Sequence, residues 1–239
     1  QCYCKWLSTP IASARKARRV LPHILDVELP FAVDRCVHVF PELARGPKGI
    51  DALSVCTMNR AVGDIRSHVQ RDTHGEMVRL DHEGLALWTQ SLHDAPPASD
   101  EEPRAVMALE VATTTLVVGR GHRLLAVRSI GNTTPNGVAQ VINAASKTHF
   151  TEPGDVRLRS FWAGAGAEDR DWVREFHSAL FPEHEATLEF HDMPRTFVAR
   201  SAARRLLEHD ILPCNLLIGD YLPARIARRA ARAEYRAMG

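Results

Sequence analysis

Apolar residues recur at helical spacing near the start of the chain, directly after a hydroxyl and proline signal at Ser8-Thr9-Pro10. A hydroxyl cap followed by proline favours the first turn of a helix. The regularly spaced apolar residues are Ile11, Ala14, Ala17, Val20, Leu21, Ile24 and Leu25. The pattern predicts a helix that Pro22 kinks or splits and that ends at Leu29-Pro30.

Two short runs of apolar and β-branched residues follow, at 36–40 and 50–57. A loop rich in proline and glycine, 41–49, separates them, and this arrangement predicts two neighbouring strands. Asn59 then precedes a stretch suited to a helix over 60–72 and is predicted to cap it.

The next stretch predicts a strand over 76–80 and a helix that begins near Asp81. Residues 94–103 follow, with the acidic and proline-rich sequence Asp-Ala-Pro-Pro-Ala-Ser-Asp-Glu-Glu-Pro. Because this composition offers little to pack, we interpret 96–103 as a linker and as the best internal boundary of the chain.

Three β-rich runs come after this boundary, at 105–111, 113–118 and 123–130. Gly119-Arg120-Gly121 supplies a turn between the last two, so the runs predict an antiparallel meander. The elements predicted beyond the meander are helix 136–149, strand 156–162, helix 168–181, strand 186–190 and helix 196–209. Strands followed by alternating strands and helices predict a layered α/β fold.

The composition is that of an ordinary globular protein. The 239 residues are 45% apolar and 25% charged, with a formal net charge of +1. These values exclude disordered, collagen-like and disulfide-rich classes, and the small net charge provides no general attraction to nucleic acid. No apolar run reaches the roughly 18 residues that crossing a bilayer requires.

Motifs for metal binding or nucleophilic catalysis are weak. The five cysteines form no C-x-x-C pair, which favours a reducing compartment, and Cys2-Tyr3-Cys4 lacks a partner pair of ligands. His177, His184 and His191 recur every seven residues. Pro182 interrupts any helix that could align them. We therefore predict no metal site and no catalytic residue.

The C-terminus carries a stripe of arginines. The five are Arg225, Arg228, Arg229, Arg232 and Arg236. Their spacing places them on one side of an alanine-rich helix. Three interpretations fit the stripe: a solvated charged helix, a nucleic-acid contact, and a segment that lies against an anionic membrane surface. Nucleic acid is the least supported, because no aromatic platform or second basic patch accompanies the stripe.

Several segments resemble the PilM and GspL proteins, which are the actin-like cytoplasmic components of type IV pilus and type II secretion machines. Residues 21–31, Leu-Pro-His-Ile-Leu-Asp-Val-Glu-Leu-Pro-Phe, are similar to the VLPFxLExxLPF helix of that family. Residues 81–87 and the meander over 108–130 extend the likeness. Residues 214–225, Cys-Asn-Leu-Leu-Ile-Gly-Asp-Tyr-Leu-Pro-Ala-Arg, resemble the NLLQGxYxPR segment that precedes the membrane span in GspL.

The resemblance implies an actin-like, ribonuclease H-like ATPase fold with two subdomains built on mixed sheets. Residues 1–95 would be the remainder of the first subdomain, with its beginning upstream of Gln1, and 104–212 the second. Residues 213–239 would be a pre-membrane segment and basic helix, with a transmembrane helix expected beyond Gly239.

The same resemblance implies a location on the cytoplasmic face of the bacterial inner membrane. The expected partners are the secretion or pilus assembly ATPase, other inner-membrane platform proteins and, through the C-terminal arginines, anionic lipid. Nucleic acid is not expected, and whether the protein forms a homodimer is left open. The implied function is that of a scaffold that recruits the ATPase, without a cofactor.

Nucleotide hydrolysis on this fold needs Asp-x-Gly at the start of each meander, for metal-bound water and for close approach of phosphate. Glu110 and Ala112 stand at those positions in the second meander. The longer carboxylate and the added Cβ degrade both requirements, so hydrolysis is not expected.

The alternatives are an ATP-binding, PilM-like pilus assembly protein and, with less support, a small-molecule kinase of the same fold. The cofactor would be ATP with Mg²⁺. The residues that would line the nucleotide site are Thr113, Thr114, Thr115, Gly164 and Gly166. The two glycines also fit a simple strand-to-helix turn.

Overall fold

The structure, a computed structural model, describes residues 2–110, 113–131, 158–163, 171, 174, 186–190, 196–207, 212–224 and 226. The chain divides into two compact units. Unit 1 comprises 1–81 with 213–239, and unit 2 comprises 82–212. This division assigns 82–95 to unit 2, whereas the composition predicts a boundary at 96–103.

Unit 1 is built from a strand, a helix, a two-stranded hairpin and a second helix. These are β1 (Cys2–Thr9), α1 (Ala14–Glu28), β2 (Cys36–Gly46), β3 (Gly49–Met58) and α2 (Asn59–Thr73). The sheet has the order β1-β3-β2 and is antiparallel throughout. The hairpin strands extend well into the predicted loop 41–49.

Helix α1 begins at Ala14, later than the Pro10 signal predicted. Residues 2–9, which include the predicted hydroxyl cap, instead pair with β3 as a strand. It packs on the sheet through Ala17, Leu21 and Leu25, which are fully or almost fully buried. Pro22 lies inside the helix and does not split it, although it removes one backbone donor.

The charges of α1 oppose the helix dipole. No acidic residue lies in its first turn and no basic residue in its last turn. Arg15, Lys16, Arg18 and Arg19 are exposed in its first half. A cation close to a helix N-terminus costs about 0.3–1 kcal/mol, so the fold of α1 depends on its buried apolar stripe.

Unit 2 contains the predicted meander and two further strands. Its described elements are α3 (Glu83–Asp94), β4 (Pro103–Leu109), β5 (Thr113–Arg120), β6 (Arg123–Gly131), β7 (Leu158–Ala163), β8 (Ala186–Phe190) and α4 (Phe197–Leu207). The sheet has the order β6-β5-β4-β7-β8. Strands β4 to β6 are antiparallel, whereas β4, β7 and β8 are parallel, so this sheet is mixed. The predicted helices 136–149 and 168–181 lie outside the described residues, apart from single positions of the second.

Helix α3 is buried over nearly its whole length, from Gly84 to Leu92, because it packs against both the sheet and α4. Glycines allow this close approach. A Cβ at Gly84 would lie 2.4 Å from Val127 Cγ1, and a Cβ at Gly119 would lie 2.2 Å from the Trp88 ring. Both distances are too short for any larger residue without movement of the partner.

A buried arginine connects α3 to the sheet. Arg104 on the central strand β4 is 0% exposed. Its Nη1 donates to the Ser91 carbonyl at 2.6 Å, and its Nη2 donates to Glu102 Oε1 at 3.0 Å. Its guanidinium also lies 5.0 Å from the centre of the Phe161 ring on β7. These contacts supply the pairing that a buried charge requires.

The predicted linker is mostly exposed over 96–101, but its end is anchored in unit 2. Glu102 is buried, and its Oε2 accepts a hydrogen bond from the Ala98 amide at 2.8 Å. The Gly121 amide, in the turn between β5 and β6, donates to the Glu102 carbonyl at 2.9 Å. Gly121 has φ +50° and lies against the Asp100 backbone, where a Cβ would be 2.5 Å from the Cα. Backbone contacts of this kind carry no signature in amino-acid composition.

Replacement of Arg104 by methionine should lower the free energy of unfolding by about 3–5 kcal/mol, because Glu102 and the Ser91 carbonyl lose a buried partner. Urea denaturation measures this change. The double variant Arg104→Met with Glu102→Gln should be more stable than Arg104→Met alone, since no lone carboxylate remains buried.

Arg128→Ala, on an exposed side chain, is the matched control and should change stability by less than about 0.5 kcal/mol. Equal losses in Arg104→Met and in the double variant would show that the charge pair contributes nothing specific.

Candidate functional site

The candidate nucleotide site lies at the hairpin between β4 and β5. Leu109 pairs with Thr114, and the Glu110 amide donates to the Thr113 carbonyl at 2.9 Å. Only residues 111 and 112 connect this last pair, and both lie outside the described residues.

The three predicted threonines follow one another at the start of β5 and do not point the same way. Thr113 is exposed, whereas Thr114 and Thr115 are 2% and 1% exposed. Because side chains alternate along a strand, Thr114 faces the opposite side of the sheet from the other two. Thr115 Oγ1 lies 3.0 Å from Ser129 Oγ on the adjacent strand β6. Thr113 alone of the three therefore presents its side chain to solvent.

Gly164 and Gly166 lie outside the described residues, so their role as a nucleotide contact remains a prediction. Strand β7 ends at Ala163, directly before them.

Two carboxylates, those of Glu83 and Glu110, lie near the start of β5. The sequence analysis did not single out Glu83. Burial raises the pKa of Glu83, and the nearby charge of Glu110 raises it further, while a hydrogen bond from Thr115 lowers it. His82 positions Glu83 in the first turn of α3, because its Nδ1 accepts from the Gly84 amide at 2.9 Å. The two carboxylates lie close enough for the charge of one to disfavour ionisation of the other.

The carboxylate pair also does not form part of a larger ligand cluster. Over the residues that the structure describes, no group of three or more His, Cys, Asp or Glu side chains could hold a metal ion. The position of Glu83 is visible in the sequence only as the single acidic residue in the first turn of α3.

Glu83→Gln should increase the free energy of unfolding at pH 7. The pKa of Glu83 is raised on folding from its ordinary value of 4.5, so the folded state prefers the neutral form. That preference stabilises the protein fully below pH 4.5 and is lost as the pH rises through the raised pKa. Unfolding at a series of pH values should show the gain at neutral pH and its disappearance in acid.

Glu110→Gln should give a smaller gain of the same sign, because it removes one cause of the raised pKa. Glu101→Gln, at an exposed carboxylate paired loosely with Arg120, is the control and should show no such dependence on pH. A constant gain for Glu83→Gln at all pH values would contradict the electrostatic explanation.

A second candidate site is the segment 213–224, which docks within unit 1. It lies beside the extended residues 76–80, where a strand was predicted. The Leu216 amide donates to the Leu80 carbonyl at 2.8 Å, and the Ala224 amide donates to Glu76 Oε1 at 2.6 Å. Tyr221 completes the contact through its hydroxyl, which donates to the Asn59 carbonyl at 2.9 Å.

Asn215 fixes the start of this docked segment. Its Oδ1 accepts from the Leu80 amide at 3.1 Å and from the Leu217 amide at 3.0 Å. One side-chain oxygen thus satisfies donors from two separate parts of the chain. Cys214, Leu216 and Leu217 are buried on either side of it.

The arginines at 225, 228, 229, 232 and 236 lie outside the described residues, so their membrane role remains a prediction. Within the described part of the chain, no helix has the length and apolar character of a membrane span.

Asn215→Ala should loosen the docked segment by about 1–3 kcal/mol, because two backbone amides lose their acceptor. Hydrogen exchange of the Leu80 and Leu217 amides should accelerate. Asn215→Asp keeps the accepting oxygen and loses only the weak donor to Val78, so it should retain most of the protection. Equal acceleration in both variants would contradict the role assigned to Oδ1.

A mixed sheet in which an antiparallel meander is followed by two parallel strands, with helices packed against it, is the architecture of the actin-like ATPase fold. Comparison with solved structures establishes this class for the chain and confirms the predicted fold class. The likeness to PilM and GspL proteins is confirmed at the level of fold.

A structure of a PilM-PilN type IV pilus biogenesis complex aligns with TM-score 0.67 and 13% identity, covering 87% of this chain and 77% of that one. The cytoplasmic domain of EpsL, an inner membrane component of the type II secretion system of Vibrio cholerae, aligns with TM-score 0.55 and 13% identity, covering 92% and 74%. A Bacteroides thetaiotaomicron protein of unknown function with an actin-like ATPase fold aligns with TM-score 0.51 and 5% identity, covering 84% and 69%. No family model and no curated protein sequence matches the chain.

Proposed function

We propose that this chain is a non-catalytic scaffold domain on the cytoplasmic face of a type II secretion or type IV pilus platform in the bacterial inner membrane. The observation that carries the proposal is its shared fold with a PilM-PilN complex and with the EpsL cytoplasmic domain, at TM-scores of 0.67 and 0.55. The domain would bind other platform proteins and recruit the secretion ATPase.

The candidate nucleotide site supports a scaffold over an ATPase. Thr114 and Thr115 are buried, and Thr115 Oγ1 lies 3.0 Å from Ser129 Oγ, so neither side chain is presented to solvent. Glu110 and Ala112 stand where aspartate and glycine would be required. A site with these features has neither the glycine for close approach nor the aspartate that positions a metal-bound water.

The docked segment 213–224 supports the membrane-proximal part of the proposal. Its hydrogen bonds to 76–80 and Asn59 secure the chain immediately before the arginine-rich tail. In this proposal the tail follows a firm attachment to unit 1, and its cations approach anionic lipid, where each contributes about 1 kcal/mol.

ATP binding without hydrolysis, as in a PilM-like assembly protein, is the second candidate. It is favoured by the fold and by the exposed Thr113 next to the hairpin. Thermal unfolding separates it from the scaffold function, because a ligand that binds the folded state raises the melting temperature.

The purified chain should retain the secretion or pilus ATPase of its own organism in a pull-down, and the retained amount should be the same with and without Mg-ATP. Millimolar Mg-ATP should shift the melting temperature by less than about 1 °C, because saturation of a real site would produce a shift of several degrees. The ATPase of an unrelated secretion system is the control partner.

A large thermal shift together with nucleotide-dependent retention would replace the scaffold function by the ATP-binding one. Transfer of phosphate to a small molecule would contradict both. Failure to retain the ATPase, with an intact fold by circular dichroism, would overturn the recruitment role.

A further inference from the structure

The first half of α1 presents a compact basic surface. Arg15, Lys16, Arg18 and Arg19 are all exposed, and none of them forms an ion pair with another residue in the described part of the chain. Arg15 and Arg19 are one turn apart, so their side chains lie on the same outer stripe of the helix.

The hairpin between β2 and β3 extends this surface. Arg45 and Lys48 are exposed there, and the hairpin lies against the segment that leads into α1. The close approach is visible at Gly49, where a Cβ would lie 2.2 Å from the Thr9 carbonyl oxygen and 2.9 Å from the Pro10 Cα. Asp51, near the same end of the sheet, already accepts a hydrogen bond from Ser8 Oγ at 2.6 Å. We call these six cations the α1 basic surface.

The cations of the α1 basic surface are not needed to stabilise the fold of unit 1. The helix is held by Ala17, Leu21 and Leu25 on the opposite side, and cations in its first turn oppose the helix dipole. Side chains that weaken their own helix and remain unpaired are expected where an external anionic group compensates for them.

A protein partner fits this surface better than a lipid bilayer. Helices that lie on membranes insert large apolar side chains beside their cations, whereas the apolar stripe of α1 is buried against the sheet. The strongly exposed apolar side chain of α1, Val27, lies near its C-terminal end, two turns beyond Arg19. The exposed Asp26 also lies on the outer stripe with Arg15 and Arg19, further along the helix. A continuous anionic plane would meet this carboxylate, but a partner with a limited acidic patch would not.

We propose that the α1 basic surface docks an acidic protein segment whose carboxylates recur every three to four residues, as on one side of a helix. The contact is electrostatic, so salt weakens it strongly. The inference rests on the charges of unit 1 and does not depend on the function proposed above.

The test uses a fluorescent helical peptide of about 16 residues with glutamates at that spacing, and fluorescence anisotropy with the full chain. We expect binding at low salt that weakens by about tenfold or more at 0.3 M salt. Arg15→Glu with Arg19→Glu should abolish binding and leave the melting temperature unchanged or higher, because the new charges suit the helix dipole.

Arg60→Glu with Arg71→Glu, on exposed positions of α2, makes the same change in net charge and should leave binding of the peptide intact. Vesicles containing about one third phosphatidylglycerol provide the second arm. If they bind through Arg15 and Arg19 while the peptide does not, the surface is a membrane contact and the proposal is wrong. Absence of peptide binding, or equal binding by both double variants, would overturn it as well.

Discussion

The buried guanidinium of Arg104 organises the centre of unit 2. Arg104 is fully buried on the central strand, and its guanidinium must find partners there because an isolated charge in the interior is prohibitively costly. It finds them in Ser91 on α3, in Glu102 before β4 and in the ring of Phe161 on β7. The same group thus fixes a helix, a proline-rich segment and a parallel strand relative to the centre of the sheet.

That arrangement has consequences at the far end of α3. With the helix held on the sheet, its first turn brings Glu83 close to Glu110 and Thr115, at the hairpin where an ATPase of this fold would bind phosphate. Thr115 lies within hydrogen-bond distance of Ser129 on the adjacent strand, so its hydroxyl is engaged within the sheet.

The surfaces of unit 1 are organised by charge. Its sheet is covered by α1 through apolar contacts, so the exposed cations of that helix are left for an external partner. The segment 213–224 is secured by Asn215 and Tyr221 before the chain continues into the arginine-rich tail. Both features combine a firm local attachment with positive charge.

The sequence by itself determined the elements whose signals are local: the apolar stripe of α1, the meander from β4 to β6, and the extent of α2, although Met58 and not Asn59 occupies its N-cap. Tertiary structure alone decided the rest. Strand β1 exists because it pairs with β3, about fifty residues away, and the end of 94–103 is anchored because Glu102 contacts Arg104 and Ala98. The proximity of Glu83 and Glu110 likewise requires α3 to lie on the sheet. Periodicity reports what one segment prefers, but pairing between distant segments is settled only when their buried polar groups must find partners.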